Sequence, residues 1–407
     1  MTDHAVRPVV PITRPRFVSR WAIRAIRNLP ILSALMVMAA LGGSCGRSIF
    51  PKVTASPAAS VTPTPGAGAF VYLTNFNDAK VSKFGRNRTT GALGTPTTVK
   101  AGAIQGPIGL AVAPSGNALY VANAADNKIH EFGINSSSGG LSPIGLGAIG
   151  AGTAPRQVAI TPSGSFAYAT NFLGGSISEY NITAATGALG ANGTVTNGVT
   201  QPYGAVATNS FLYVSDTNAG AMLSYAINSD GTLTVPPSAV PSGTTLTRTP
   251  GPVIIDPTLQ FVFVSDITQG SVSVFRAGGG ALTFVISALT SAPGTPAMGL
   301  AYVTTPSSRN FLYVANQTAV PNSVSIFSFN STLGTLTLLG AVTTGPKPTG
   351  VAADPSGSFL YVTNQGDGTV TTFTIDSTTG ALTSPATVNT ENPANLNSAP
   401  LFIAVAH

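Results

Sequence analysis

Residues 348–389 read PTGVAADPSGSFLYVTNQGDGTVTTFTIDSTTGALTSPATVN, and this stretch decides the fold. It divides into four short strand-like pieces separated by turn residues. PTGVAA is small and apolar. Pro355-Ser356-Gly357 follows, with proline fixing φ and glycine permitting φ > 0, so the chain reverses. FLYVTN is an aromatic and valine strand. Gln365-Gly366-Asp367-Gly368 then leads into VTTFTI, whose alternation has the period of a strand. TTGAL makes the next turn and opens a fourth, outer strand.

The same motifs return in the same order from residue 70 to the end. The aromatic motif is YLTN at 72–75, YVAN at 120–123, YATN at 168–171 and YVSD at 213–216. It continues as FVSD at 263–266, YVAN at 313–316 and YVTN at 361–364. Its final Asn or Asp falls at 75, 123, 171, 216, 266, 316 and 364, in steps of 48, 48, 45, 50, 50 and 48. The turn motif keeps the same beat, from TTGAL at 89–93 to TTGAL at 378–382. No segment after residue 45 has the 3.6 period of a helix. Seven such units predict an all-β fold, a seven-bladed β-propeller of four-stranded antiparallel blades. Small first strands fit it, because inner strands converge on a crowded axis.

The chain ends test the register. The first unit opens at Phe70 on its second strand, with no first strand before it. PLFIAVAH at 400–407 matches a first strand and has no successor. The C-terminal strand should therefore complete the first blade and close the ring, leaving no open sheet edge between blades.

The remaining sequence narrows location and partners. Six arginines, Arg7, Arg14, Arg16, Arg20, Arg24 and Arg27, precede the apolar run Leu29–Leu41, and Gly42-Gly43-Ser44-Cys45 follows. Basic, apolar and small residues in that order mark an export segment over 1–45. Cys45, the one cysteine, resembles the lipidated residue of a bacterial lipoprotein signal. That reading implies a membrane partner through an N-terminal lipid anchor, and a periplasmic or cell-surface location. Residues 46–69 are rich in Pro, Ser, Thr and Ala and read as a linker, leaving 70–407 as the propeller. From Cys45 onward 13 Lys and Arg face 12 Asp and Glu, a balance of +1. No basic stripe remains, which excludes nucleic acid as a partner. A single cysteine excludes a disulfide framework, and no Cys/His cluster or multi-carboxylate loop calls for a metal or other cofactor.

The literal YVTN at 361–364 and its variants resemble the YVTN-type propeller repeat. The TTGAL motif resembles that of the lactonase superfamily of seven-bladed propellers, which includes 6-phosphogluconolactonase. The likeness covers residues 70–407. It implies a site at the channel mouth, where the first-strand openings and the loops after each YVTN meet, and a His just after the opening Pro.

The openings read here Pro107-Ile108, Pro155-Arg156-Gln157, Pro202-Tyr203, Pro250-Gly251-Pro252, Ala297-Met298, Lys347-Pro348-Thr349 and Pro400-Leu401, with no His. His130, in KIHEF, reads as a solvated strand residue. Lactone hydrolysis needs a base or a metal to activate water, and a cation for the oxyanion. Arg156 is the candidate catalytic or anion-gripping residue. Lys347, Gln157, Gln201 and Tyr203 are candidates to line a ligand pocket. Asp216 and Asp266 replace the Asn of the other repeats, and either reads as a general base, a cation ligand or a cap on its own turn. With no placed His, the residues point to a binding or scaffold module for an envelope protein or glycan. The resemblance implies the alternative, a lactonase acting on a small sugar lactone.

Overall fold

A computed structural model describes residues 69–102, 106–241, 248–318, 320–391 and 398–406. The expected export segment with Cys45 and the expected linker up to residue 68 lie outside the described residues. The described chain forms seven four-stranded antiparallel sheets. Phe70–Asn75, Lys80–Gly85 and Thr97–Lys100 start blade one. Blades two to seven follow in chain order, with inner strands Pro107–Val112, Pro155–Ile160, Pro202–Ala207, Pro250–Ile255, Ala297–Thr304 and Pro348–Ala353. Each inner strand contacts the next, and the seventh contacts the strand that completes blade one. Among the described residues the one helical element is a 3-10 turn, Phe76–Asp78.

The ring closes as the sequence predicts. Pro400–Ala406 pairs antiparallel with Phe70–Asn75, with Ala406 opposite Phe70 and Pro400 opposite Asn75. The inner strands are small because neighbouring backbones press on one another. A Cβ at Gly109 would collide with the Arg156 carbonyl of the next blade, and one at Gly299 with that of Thr349.

Aliphatic and aromatic residues fill each space between blades. Tyr168 and Ile177 of blade three pack with Val214 and Leu223 of blade four, for example. Burying each such side chain contributes about 1.5–3 kcal/mol.

The two recurring motifs meet across these junctions. In five blades the tyrosine of the aromatic motif donates to the glycine carbonyl of the next blade's turn, and in blade four Ser224 Oγ, not Tyr213, donates to the Gly280 carbonyl. Tyr72 reaches Gly139 at 2.8 Å, Tyr120 Gly187 at 2.6 Å, Tyr168 Gly231 at 2.8 Å and Tyr313 Gly380 at 2.9 Å. Tyr361 reaches Gly91 at 2.9 Å, carrying the pattern across the junction between blades seven and one. These glycines sit at positive φ, as at Gly91 (+70°) and Gly231 (+85°), a region that favours glycine. A Cβ on Gly91 would strike Phe359, and one on Gly231 would strike Phe166, each the first residue of the preceding blade's second strand. Blade five has Phe263 in place of the tyrosine. There Phe263 packs edge-on to Phe329 at 4.9 Å and against Tyr302 at 5.7 Å, so ring contacts replace the hydrogen bond.

One buried ion pair reinforces the closing junction. Arg86 Nη1 of blade one lies 3.1 Å from Asp354 Oδ2 of blade seven, and the two side chains are 5% and 1% exposed. Asp354 also accepts hydrogen bonds from the backbone N–H groups of Ser358 and Phe359.

Candidate functional site

In every blade the residue that opens the inner strand pairs with the final Asn or Asp of the second strand. Pro107 faces Asn123, Pro155 Asn171, Pro202 Asp216, Pro250 Asp266, Ala297 Asn316 and Pro348 Asn364. The register then slips by a one-residue bulge. Bulges re-aim side chains and occur beside functional sites. Here the bulge falls at the channel mouth, and in blade three it carries Arg156 and Gln157.

Arg156 is held by aromatic rings from two blades. Its guanidinium carbon stands 3.6 Å from the centroid of the Tyr203 ring and 5.4 Å from that of Phe172. The two rings meet edge to face, 6.0 Å apart. Tyr203 is fixed in turn, because Thr170 Oγ1 donates to its carbonyl at 3.1 Å. Stacking a guanidinium on an aromatic face is attractive and leaves its edge free for an anion. Arg156 Nε is buried and without a hydrogen-bond partner.

Gln157 lies beside it, its Nε2 donating to the Ala205 carbonyl at 3.2 Å and its Oε1 buried without a partner. Gln201 Oε1, just before the opening of blade four, is likewise buried and unpartnered. The structure thus brings Arg156, Gln157, Gln201 and Tyr203 to adjoining blades. Lys347 stands apart. It is exposed, one residue before the opening of blade seven, with its N–H donated to Asn322 Oδ1 at 3.1 Å.

Asp216 and Asp266 cap their own blades. Asp216 is fully buried and accepts from Thr200 N at 2.6 Å, Thr200 Oγ1 at 2.7 Å, Gln201 N at 3.1 Å and Ala219 N at 3.0 Å. Asp266 accepts from Thr249 Oγ1 at 3.1 Å, Thr268 N at 2.9 Å and Gln269 N at 2.8 Å, with Arg248 Nη1 4.0 Å away. Asn171 does the same work by donating to Ser176 and Ser178, both at 3.0 Å. Asp fits where the neighbours are donors, and Asn where hydroxyls accept.

Two features lay beyond the sequence reading. Phe172 follows the motif's final Asn directly, and its place in the repeat was the signal that could have found it. His130 is 12% exposed rather than solvated, with Nε2 2.7 Å from Asp126 Oδ2, because the loop after the second strand folds back over the third.

On the opposite face, a groove of about 440 Å³ runs between blades five, six and seven, lined by Ile254, Leu300, Tyr302, Val351 and Asp354. Its walls are mostly aliphatic, and Asp354 is already bound to Arg86 and its own turn. The mouth, with a guanidinium and unpartnered amide oxygens, is the better-equipped site.

Comparison with known proteins agrees with this architecture. A family model described as "Lactonase, 7-bladed beta-propeller" matches residues 61–200, 170–283 and 279–396. A 6-phosphogluconolactonase of Formosa agariphila is 42% identical over 73 residues, 18% of this chain and 21% of that protein. The chain thus matches about a fifth of that relative's length. A periplasmic gluconolactonase of Pseudomonas aeruginosa superposes with a TM-score of 0.70 at 18% identity, covering 84% of this chain and 99% of that one. A protein from Lactobacillus plantarum gives 0.69 at 20% identity, over 84% and 100%. At these identities the structural likeness is one of fold.

Proposed function

We propose a function from one premise: the chain belongs to the seven-bladed β-propeller lactonase family. The mouth binds a small sugar lactone, and Arg156 holds the carbonyl oxygen while water opens the ring. The observation that carries this reading is the Arg156 guanidinium laid on Tyr203 at 3.6 Å with Nε unpartnered. Water adds to the carbonyl carbon and negative charge collects on the carbonyl oxygen. The ring C–O bond then breaks, the ring oxygen takes a proton, and a hydroxy acid leaves. A preorganised guanidinium at that oxygen stabilises the charge without reorganising. Gln157 and Gln201 supply amide groups to the lactone hydroxyls. Family membership and this geometry favour the catalytic reading over the binding module that the missing His first favoured.

Asp216 and Asp266 hold their loops, so the attacking water passes its proton to solvent. The expected pH profile rises with hydroxide and lacks the bell shape of a paired acid and base. The test is hydrolysis of a lactone panel by the purified full chain. Turnover above the spontaneous rate should fall about 100-fold in Arg156→Ala, the scale of one lost oxyanion donor. No turnover on any lactone would overturn the proposal.

Export and anchoring belong to the same proposal. The arginine-rich and apolar residues 1–41 support export, and Cys45 supports lipidation. Cys45→Ser should move the protein from the membrane fraction to the soluble fraction, and unchanged membrane association would refute the anchor.

A further inference from the structure

We infer that the mouth selects an unphosphorylated lactone over a phosphorylated one; the inference rests on the lactone reading above. The repeat makes it checkable residue by residue. The six places equivalent to Arg156 hold Ile108, Tyr203, Gly251, Met298, Thr349 and Leu401. The six equivalent to Phe172 hold Phe76, Ala124, Thr217, Ile267, Gln317 and Gln365. Their contacts form one rim. Phe172 meets Tyr203, and Ile267 fills the space over Gly251. Thr217 Oγ1 donates to the Pro250 carbonyl at 2.9 Å, and Gln317 Nε2 to Gln365 Oε1 at 3.2 Å. Of these two places on each of seven blades, only Arg156 carries a charge.

A phosphate monoester brings a charge of about −1.5 to −2 and three acceptor oxygens, which proteins grip with several charge-assisted donors or a helix N-terminus. The described residues offer neither here. Lys80 is 3.0 Å from Glu391, and Arg248 is bound to Ser271 beside Asp266. Lys100, Lys128 and Lys347 lie at the outer strand, the third strand and the rim, outside those places. These five and Arg156 face six carboxylates on the same side of the ring, Asp78, Asp126, Asp216, Asp266, Asp367 and Glu391. A dianion therefore meets no net attraction, whereas a neutral polyhydroxy lactone needs one cation at its carbonyl and amides at its hydroxyls.

The experiment compares kcat/KM of the full chain for glucono-δ-lactone and for its 6-phosphate. The expected preference for the unphosphorylated lactone is about ten-fold or more, the cost of taking a phosphate oxygen out of water at the mouth without a charge-assisted donor to replace it. Met298→Arg, which places a second cation at the equivalent position of blade six, should narrow that ratio about ten-fold. Equal use of the two lactones, or preference for the phosphate, would overturn the inference and leave the proposed function standing. A ratio unmoved in a folded Met298→Arg would overturn the charge argument. Turnover of neither lactone would overturn the proposed function itself.

Discussion

Tyr120→Phe removes one oxygen from the junction between blades two and three and leaves everything else in place. The Tyr120 hydroxyl donates to the Gly187 carbonyl at 2.6 Å, and both residues are buried. Phenylalanine keeps the ring, so no cavity opens beyond one atom. A buried neutral hydrogen bond is worth about 1 kcal/mol, and leaving its acceptor without a donor brings the loss toward about 2 kcal/mol. For a cooperative domain of this length that is a fall in melting temperature of about 2–4 °C. Guanidinium unfolding should show a lower midpoint with an unchanged slope, since the surface exposed on unfolding is the same. The turn that holds Gly187 lies on the face opposite the mouth, so lactone turnover at 25 °C should match the parent. An unfolding free energy unchanged to within about 0.3 kcal/mol would refute the reasoning, because water would then be satisfying the carbonyl. A changed slope would refute it differently, by showing that the blades do not unfold together.

Gly231→Ala forces a Cβ into φ +85° and against Phe166, and should cost about 2–4 kcal/mol, read by the same unfolding curves. Asp354→Ala leaves Arg86 buried without its partner across the closing junction, and a loss of about 3–5 kcal/mol is expected by calorimetry or denaturant titration. Alkaline pH should unfold the ring. Burial pushes Tyr180 and Tyr302 up to about 12 and Tyr72, Tyr120, Tyr168, Tyr313 and Tyr361 higher still, against an ordinary value near 10. The folded state thus keeps protons that the unfolded chain releases, so stability is complete below pH 10 and falls as pH rises above it. Circular dichroism between pH 9 and 12 checks this, and a flat signal would contradict it.

The blades, their number and the closing strand were legible because turn glycines and aromatic strands recur at a fixed beat. The reason for the two motifs was not legible. Sequence shows Tyr120 and Gly187 as members of separate patterns, and only the stacking of blades makes them one contact. The same limit applies to Arg86 and Asp354, whose pairing spans nearly the whole ring. At the mouth, Arg156 stood out as the cation directly after an opening Pro. Its platform did not, because Tyr203 comes from the next blade and Phe172 from a loop. Asp216 and Asp266 drew attention as departures from Asn, yet their burial and their donors depend on backbone N–H groups that no side-chain pattern records.

The strand that completes blade one is made after the other strands of all seven blades. Until Pro400–Ala406 arrives, the Phe70–Asn75 edge has no neighbour, and blade seven has no closing partner. The circle therefore cannot seal until that strand has been made. Its arrival thus acts as a quality check, because a chain that lacks the strand is left with an adhesive edge.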